Sequence, residues 1–298
     1  MEIGGRWPLC ELVSLVEFAE CRGRPIAFIG IGTENLREAD ALRMLSDSLV
    51  PKVAFWSVRS PRDRDRLVGY GVSEDRVTVA ADLSWLIEPA SLAFGKDRLT
   101  NLGVKEAHPI IGVNVTNESW LENRAPLLLD GIAKLLDLLI ARHGAQVVFL
   151  TNEIRHHTTM DRQASRRVLA CMKKGAEALL LPNEYLPPQK MLSVLSCCHL
   201  TIGMRLHFCS FSAQQAIPFI AIKRQEKLED FCWDISWKYS TCPENFDVEA
   251  VAEMVQEIGS RRNALSEVLK QSREKMRKRA FLNRIAMEKT MQLGAMEY

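Results

Sequence analysis

The fold class follows from the run Ile110-Ile-Gly-Val-Asn-Val115, the helical segment after it and the run Gln146-Val-Val-Phe-Leu-Thr151. Both runs are short and mostly apolar, which is typical of strands that are buried on both faces of a sheet. Between them, leucine and isoleucine recur at helical spacing from Leu127 to Leu139. A strand, a helix and a second strand in this order predict a parallel α/β sheet.

The same alternation continues on both sides of this segment. Further apolar, β-rich runs lie at 26–32, 53–58, 77–81, 178–181, 200–203 and 218–222. The stretch 83–108 is polar and has no strong period, so we place a boundary there and predict two α/β domains, residues 1–107 and 108–260. Residues 261–298 continue a charged pattern with a partial apolar face, which predicts an amphipathic helix that packs back on the first domain.

Composition and charge exclude several classes of protein. With 298 residues, 47% of them hydrophobic and 26% charged, the chain has the make-up of a globular protein, and its net charge of +2 gives no electrostatic footprint for nucleic acid. The chain contains no run of about 18 apolar residues, which a membrane span would require, and its N-terminus lacks a signal-peptide pattern. We therefore expect a cytoplasmic protein. The eight cysteines lack Cys-x-x-Cys spacing, which favours reduced thiols and no zinc site.

The residues best suited to carry chemistry follow the predicted strand 200–203. Arg205 and His207 come directly after its final glycine and open a helix of small residues, and Lys227 follows the next strand. In open parallel sheets, ligands collect beyond the carboxyl ends of strands and at helix N-termini. Arginine binds carboxylate or phosphate, and histidine transfers protons near neutral pH. A structural role is equally open: Arg205 would pair with a nearby acid, His207 would fill a capped site and Lys227 would lie in a solvated loop.

Several motifs in a fixed order resemble the polysaccharide pyruvyl transferase family between Arg24 and Ile235. The segment Leu195–His207 is similar to the family signature that ends in Arg-Leu-His, and 217–222 with a following lysine is similar to the family's next strand. The first domain adds three similar segments: Arg24–Gly32, Ser57–Arg59 with Leu67 and Gly71-Val72, and Thr78–Asp82.

This resemblance implies a GT-B-like fold, in which two Rossmann-type domains face each other across a cleft. It also implies transfer of a pyruvyl group from phosphoenolpyruvate to a pair of saccharide hydroxyls, forming a ketal in exopolysaccharide or cell wall polysaccharide biosynthesis. Phosphoenolpyruvate is then the donor substrate, and neither a cofactor nor a metal is implied. The acceptor would be a saccharide, free or lipid-linked, which places the enzyme in the cytoplasm or peripherally at the inner face of the membrane.

The resemblance also implies roles for particular residues. Arg205 and His207 match catalytic positions of the family, with His207 as the general acid that protonates the enol methylene. Lys227 matches a contact to the donor anion, and Arg59 is a third candidate cation for it. Further candidates for substrate binding lie after strands: Asp82, Asn152 and His157. We interpret His157 and its neighbours as a loop with Asp161 capping a helix, rather than as a metal site.

The sequence also departs from the family pattern. Ser60 and Asp63 stand where the pattern has Asp and then Ser, Val115-Thr-Asn117 replaces a frequent arginine, and Arg224-Gln-Glu226 replaces Tyr-Asp-Pro before the lysine. Fewer residues than usual precede Gly30-Ile-Gly32, so the first domain is expected to be shortened relative to the family. Two alternatives therefore stay open: a GT-B glycosyltransferase that uses a nucleotide sugar, and a truncated relative that binds a saccharide or partner without catalysis. The oligomeric state is not predicted.

Overall fold

A computed structural model describes residues 8–105, 107–153 and 160–296. The strands are β1 (Ile26–Ile31), β2 (Val53–Val58), β3 (Val77–Val79), β4 (Ile110–Asn114), β5 (Gln146–Phe149), β6 (Ala178–Leu180), β7 (Leu200–Gly203), β8 (Phe219–Ile222) and β9 (Ser240–Thr241). The α-helices are α1 (Leu9–Glu20), α2 (Ala39–Arg43), α3 (Pro61–Gly69), α4 (Leu92–Leu102), α5 (Ser119–Arg124), α6 (Leu128–His143), α7 (Met160–Cys171), α8 (Pro188–Ser196), α9 (Leu206–Gln214), α10 (Glu226–Asp234), α11 (Val248–Ser260), α12 (Arg262–Phe281) and α13 (Asn283–Met296). A π-helical segment, Met44–Leu49, continues α2, and short 3-10 turns lie at Glu74–Arg76, Leu83–Leu86, Gly175–Glu177 and Pro243–Asn245.

The described residues group by their contacts into two units. The first contains residues 8–86 and 274–296, and the second contains residues 87–273. Residues 87–107, which the sequence analysis assigns to the first domain, group with the second unit because α4 packs against α8. The predicted domain bounds remain a prediction.

The first unit is built on a parallel sheet, whose order in the described residues is β1-β2-β3. Its core contains the buried side chains of Leu49, Trp56 and Leu67, and α13 packs against β1 and β2. Asn283, at the start of α13, is buried; its amide nitrogen donates to the Ala81 carbonyl at 2.9 Å, and its amide oxygen accepts from the Ser57 hydroxyl. The last helix is thereby attached to the carboxyl ends of β2 and β3.

The second unit is built on a larger parallel sheet, whose order in the described residues is β6-β5-β4-β7-β8-β9. The chain starts at the centre with β4, proceeds outward through β5 and β6, and then returns to the other side of β4 with β7. This order is that of a doubly wound Rossmann-type sheet, in which the direction reverses between the two central strands. The predicted α/β class with parallel sheets is confirmed. No described helix has both the length and the hydropathy that crossing a membrane requires.

A close approach between β7 and α9 fixes where the helix begins. A Cβ atom on Gly203 would lie 2.5 Å from Phe208 Cδ1 and 2.8 Å from Cys209 Sγ, so only glycine lets the first turn of α9 return onto the strand. The buried Thr201 hydroxyl donates to the Ser212 hydroxyl at 2.8 Å, which joins the same strand and helix further along. These contacts place residues 204–207 at the carboxyl edge of the sheet.

Candidate functional site

The candidate site is the carboxyl edge of the second sheet, at the paired strands β4 and β7, after which the chain leads to opposite sides of the sheet. In doubly wound sheets, this reversal point opens a crevice in which ligands bind. The structure brings four of the predicted residues to this edge: Arg205 immediately before α9, His207 in its first turn, Lys227 in the first turn of α10, and Asn152 after β5. His207 is exposed, and the other three are partly exposed.

Arg205 is held by two carboxylates at this edge. Its Nε donates to Asp161 Oδ1 and Oδ2 at 2.7 and 2.9 Å, and its Nη2 bonds Glu153 and, at 3.1 Å, the Thr116 hydroxyl. Burial lowers the pKa of Arg205, but the hydrogen bond and charge of Asp161, with the charge of Glu153, outweigh it and raise the pKa. Pairing with a nearby acid, one of the two interpretations left open, is therefore observed, and the role of Arg205 toward a substrate stays a prediction.

Asp161 connects the ends of several elements. It lies in the first turn of α7, its side chain is fully buried, and it accepts the backbone N–H groups of Asn152 at 3.0 Å and Glu153 at 3.1 Å. Its Oδ2 also accepts from Asn114 Nδ2 at 3.2 Å, at the end of β4. One carboxylate therefore holds the loop after β5, the end of β4 and the guanidinium of Arg205, whereas the sequence analysis assigns it only a helix cap.

Arg224 is a second guanidinium at this edge, and the sequence analysis does not single it out. It is buried after β8, its Nη1 donates to Glu118 Oε1 at 2.8 Å, and its Nε donates to the Met204 carbonyl at 3.2 Å. Burial lowers its pKa, and the charge of Arg205 adds to this effect, while Glu118 opposes it. A basic pair directly after a buried strand, Lys223-Arg224, is the signal that could have identified it.

The position of His207 is set by α9, since the residue lies in the first turn of this helix. Its ring centroid lies 5.9 Å from that of Phe211, one turn further along α9. The N-terminus of a helix presents backbone N–H groups and a partial positive charge, which favour an anion beside it. Because the ring is exposed at this terminus, it can meet a ligand that the terminus attracts.

Several buried oxygens at the same edge lack a hydrogen-bond partner among the described residues. They are Asn114 Oδ1, Thr151 Oγ1, Asn152 Oδ1 and Gln225 Oε1. Hydrogen bonds set the orientation of the Asn114 amide, because its Nδ2 donates to two acceptors, Asp161 and the Leu150 carbonyl at 2.9 Å. Buried polar atoms are nearly always satisfied, so these oxygens, within the part of the chain that the structure describes, are acceptors that suit the donors of a ligand. His157, the remaining candidate of this unit, lies outside the described residues.

The other two candidates, Arg59 and Asp82, lie in the first unit. They follow β2 and β3 and form an ion pair with 3.4 Å between Nη1 and Oδ2; their side chains are 21% and 19% exposed. The Asp82 carboxylate also accepts the Ser84 N–H at 2.9 Å. A Cβ atom on Gly32, after β1, would overlap the Arg59 guanidinium. The ion pair therefore depends on the absence of a side chain at residue 32.

The departure from the family pattern after Arg59 has a local explanation. The Ser60 hydroxyl accepts the Asp63 N–H at 3.1 Å, which caps the N-terminus of α3, and it donates to the Asp63 carboxylate at 2.6 Å. That carboxylate also accepts the Thr33 N–H at 2.6 Å. Ser60 and Asp63 thus cap the N-terminus of α3, and Asp63 also holds the loop after β1.

The described residues contain no group of three or more histidine, cysteine, aspartate or glutamate side chains arranged to hold a metal ion. The acidic residues at the carboxyl edge of the second sheet instead contact arginines, as the pairs Arg205–Asp161 and Arg224–Glu118 illustrate.

Comparison with known proteins identifies a family for most of the chain. The profile of the family described as polysaccharide pyruvyl transferase matches residues 2–226. A search of curated proteins gives no match.

Solved structures give the fold. Alr3699/HepE from Anabaena, in complex with UDP-glucose, has a TM-score of 0.65 and 10% identity over 95% of this chain and 77% of its own. A glycosyltransferase from Rickettsia africae has a TM-score of 0.60 and 12% identity over 98% and 84% of the two chains. UDP-GlcNAc 2-epimerase from Methanocaldococcus jannaschii has a TM-score of 0.56 and 10% identity over 82% and 66%. At these identities the likeness concerns the fold alone, and the predicted GT-B-like fold is confirmed.

Proposed function

This chain belongs to the polysaccharide pyruvyl transferase family, and from that premise we propose that it moves a pyruvyl group from phosphoenolpyruvate to two hydroxyls of a saccharide. The observation that supports this proposal is the position of Arg205, His207 and Lys227 at one edge of the second sheet. A carboxylate and a phosphate require cations, and protonation of an enol requires an acid. The product would be a pyruvylated saccharide of an exopolysaccharide or a cell wall polysaccharide.

In the proposed reaction, His207 gives a proton to the methylene carbon of phosphoenolpyruvate, and C2 becomes electrophilic. The first saccharide hydroxyl forms a C–O bond to C2 and returns its proton to His207. The second hydroxyl then replaces the phosphate at C2: its oxygen forms a bond to C2, the bond between C2 and the bridging oxygen of the phosphate breaks, and inorganic phosphate leaves with the second proton. Guanidinium and ammonium groups beside the developing charges stabilise these steps more than water does.

Within the second unit, the donor anion would contact Lys227 and Arg205. Arg224 adds a positive charge close to Arg205, although the Glu118 carboxylate binds it. The oxygens at the ends of β4 and β5 that have no partner among the described residues, including Asn152 Oδ1, accept hydrogen bonds and therefore suit saccharide hydroxyls. Arg59 and Asp82 remain predicted substrate contacts of the first unit.

The proposal is tested by ligand binding and by turnover. We expect phosphoenolpyruvate, and not UDP-glucose, to raise the melting temperature of the full chain, because a ligand at 100 times its Kd stabilises by about 2.7 kcal/mol. Lys227→Met should abolish most of this shift, whereas Lys134→Met, on an exposed position of α6, should leave it unchanged. Release of inorganic phosphate with a saccharide acceptor then measures transfer.

The alternatives give different results in the same experiment. Stabilisation by UDP-glucose alone would support a glycosyltransferase, the activity class of several proteins of this fold. A folded chain that neither ligand stabilises and that releases no phosphate would support a non-catalytic relative that binds a saccharide or a partner.

Gly32→Ala tests the predicted contact of Arg59 with the donor. The added Cβ would overlap the end of a flexible side chain rather than backbone, so we expect the guanidinium to move and the fold to persist. The expected result is an increase of about tenfold in the Kd for phosphoenolpyruvate, measured by calorimetry, with unfolding free energy changed by less than about 1 kcal/mol.

Gly69→Ala is the matched control in the same unit. A Cβ at Gly69, within α3, meets no atom within 4 Å, and alanine favours a helix by up to about 1 kcal/mol. Unchanged donor affinity in Gly32→Ala would contradict a role for Arg59 in binding the donor.

A further inference from the structure

We propose that Arg224 is a positioning residue for the reaction: it holds the peptide between Met204 and Arg205, and through this peptide it sets the positions of Arg205 and His207. The inference rests on the proposed function for the reaction that it serves. The contacts that carry it all lie within the second unit.

The backbone that leads from β7 into α9 is fixed from the two strands that flank β7. The Met204 N–H donates to the Asn114 carbonyl at the end of β4, at 3.1 Å, and the Met204 carbonyl accepts from Arg224 Nε after β8, at 3.2 Å. The Met204 carbonyl and the Arg205 N–H belong to one planar peptide unit. The bond from Arg224 therefore sets the plane from which Arg205 and α9 continue.

The Met204 carbonyl precedes the hydrogen bonds of α9. In the first turn of that helix, the Cys209 N–H donates to the Arg205 carbonyl at 3.1 Å, and Arg205 itself is extended, with φ −104° and ψ 138°. Met204 is buried, and a buried carbonyl that loses its donor costs about as much free energy as a lost hydrogen bond. Without the Nε–H of Arg224, we expect this peptide to rotate toward another donor and to move the start of α9.

Arg224 is itself held by a carboxylate on the loop after β4. Its side chain is only 5% exposed, and its Nη1 donates to Glu118 Oε1 at 2.8 Å. The other oxygen of Glu118 accepts the indole N–H of Trp120, so both oxygens of this carboxylate are engaged. Charge-assisted bonds of this kind are strong and directional, and they fix the guanidinium where its Nε meets the Met204 carbonyl.

Arg205 and His207 depend on this peptide to different degrees. The guanidinium of Arg205 is also held by the two oxygens of Asp161, at 2.7 and 2.9 Å, so it keeps that anchor when the peptide rotates. His207 lies in the first turn of α9, and its backbone follows the peptide that starts the helix. A misplacement of about 1 Å can slow a reaction about 10²-fold. Loss of the Nε bond should therefore slow proton transfer more than it weakens donor binding.

Arg224→Lys tests the bond separately from the charge. Lysine places a methylene group where Nε stands, whereas its ammonium keeps the positive charge and can still contact Glu118. In the full chain, we expect kcat to fall about 10²-fold and the calorimetric Kd for phosphoenolpyruvate to change by less than about threefold. The rate is phosphate release with the methyl glycosides of glucose, galactose and mannose offered together as acceptors. Arg224→Gln, which also removes the charge, should lower kcat to a similar extent.

Arg262→Lys is the matched control. The Nε of Arg262 donates to the His199 carbonyl, also at 3.2 Å, directly before the amino end of β7. The control therefore removes the same kind of bond from the opposite end of the strand, and kcat should not change. Amide hydrogen exchange of residues 204–209, which requires no substrate, should become faster in Arg224→Lys and stay native in Arg262→Lys.

Native kcat or native exchange in Arg224→Lys would overturn the inference, and so would an equal loss of kcat in the control. A loss confined to Arg224→Gln, together with weaker donor binding, would also overturn it, because the charge alone would then explain the effect. A native chain that neither binds phosphoenolpyruvate nor releases phosphate contradicts the proposed function. In that case the exchange of residues 204–209 still decides whether Arg224 holds this backbone.

Discussion

His207→Ala is expected to slow pyruvyl transfer by about 10²–10⁴-fold while the chain still binds phosphoenolpyruvate with nearly native affinity. The imidazole is the proposed source of the proton for the methylene carbon, and no other histidine of the described residues lies at this edge of the sheet. The fold should tolerate the change because His207 is exposed, whereas α9 is fixed by the buried residues Phe208, Cys209 and Ser212.

Phosphate release under saturating donor and acceptor measures the rate, and calorimetry measures donor binding separately. His143→Ala is the matched control, because this exposed histidine ends α6 just before the amino end of β5. Turnover like that of the native chain in His207→Ala would refute the role of proton donor. Loss of both donor binding and turnover would instead indicate that His207 binds the donor.

The sheet of the second unit was predictable because its signals are local. The run at 110–115 and the run at 146–151 are short and mostly apolar, and the segment between them has a helical period. Strands buried on both faces produce this pattern wherever they occur. The position of Arg205 and His207 at the carboxyl edge followed in turn, since residues directly after parallel strands lie at that edge.

The partners of the candidate residues were not predictable in the same way. Asp161 and Glu153 lie 44 and 52 residues before Arg205 in the chain, and no local pattern links a carboxylate to an arginine at such a separation. The sequence therefore presents Arg205 as a cation ready for an anion, whereas the folded chain surrounds it with carboxylates. Arg224 is a related case: it does not match the family pattern, and its ion-pair partner Glu118 lies 106 residues earlier in the chain.

Asp161→Ala is expected to lower the free energy of unfolding by about 3–5 kcal/mol, because it removes one partner of a largely buried ion pair. Arg205 would lose its bidentate partner, and the N–H groups of Asn152 and Glu153 would lose their acceptor. Urea unfolding of the full chain, followed by circular dichroism, measures the change. Glu122→Ala is the control, since its ion pair with Arg167 is exposed and contributes at most about 1 kcal/mol.

A double variant separates the two causes of this loss. Asp161→Leu combined with Arg205→Met leaves no uncompensated charge at the site, because both members of the pair are then apolar. If the unpaired guanidinium dominates the cost, the double variant should be more stable than the sum of the two single changes predicts, by 1 kcal/mol or more in a mutant cycle, where about 0.5–3 kcal/mol is usual for residues in contact. If the changes simply add, the cost comes instead from the backbone N–H groups after β5, and Asp161 acts mainly by holding that loop rather than by neutralising Arg205.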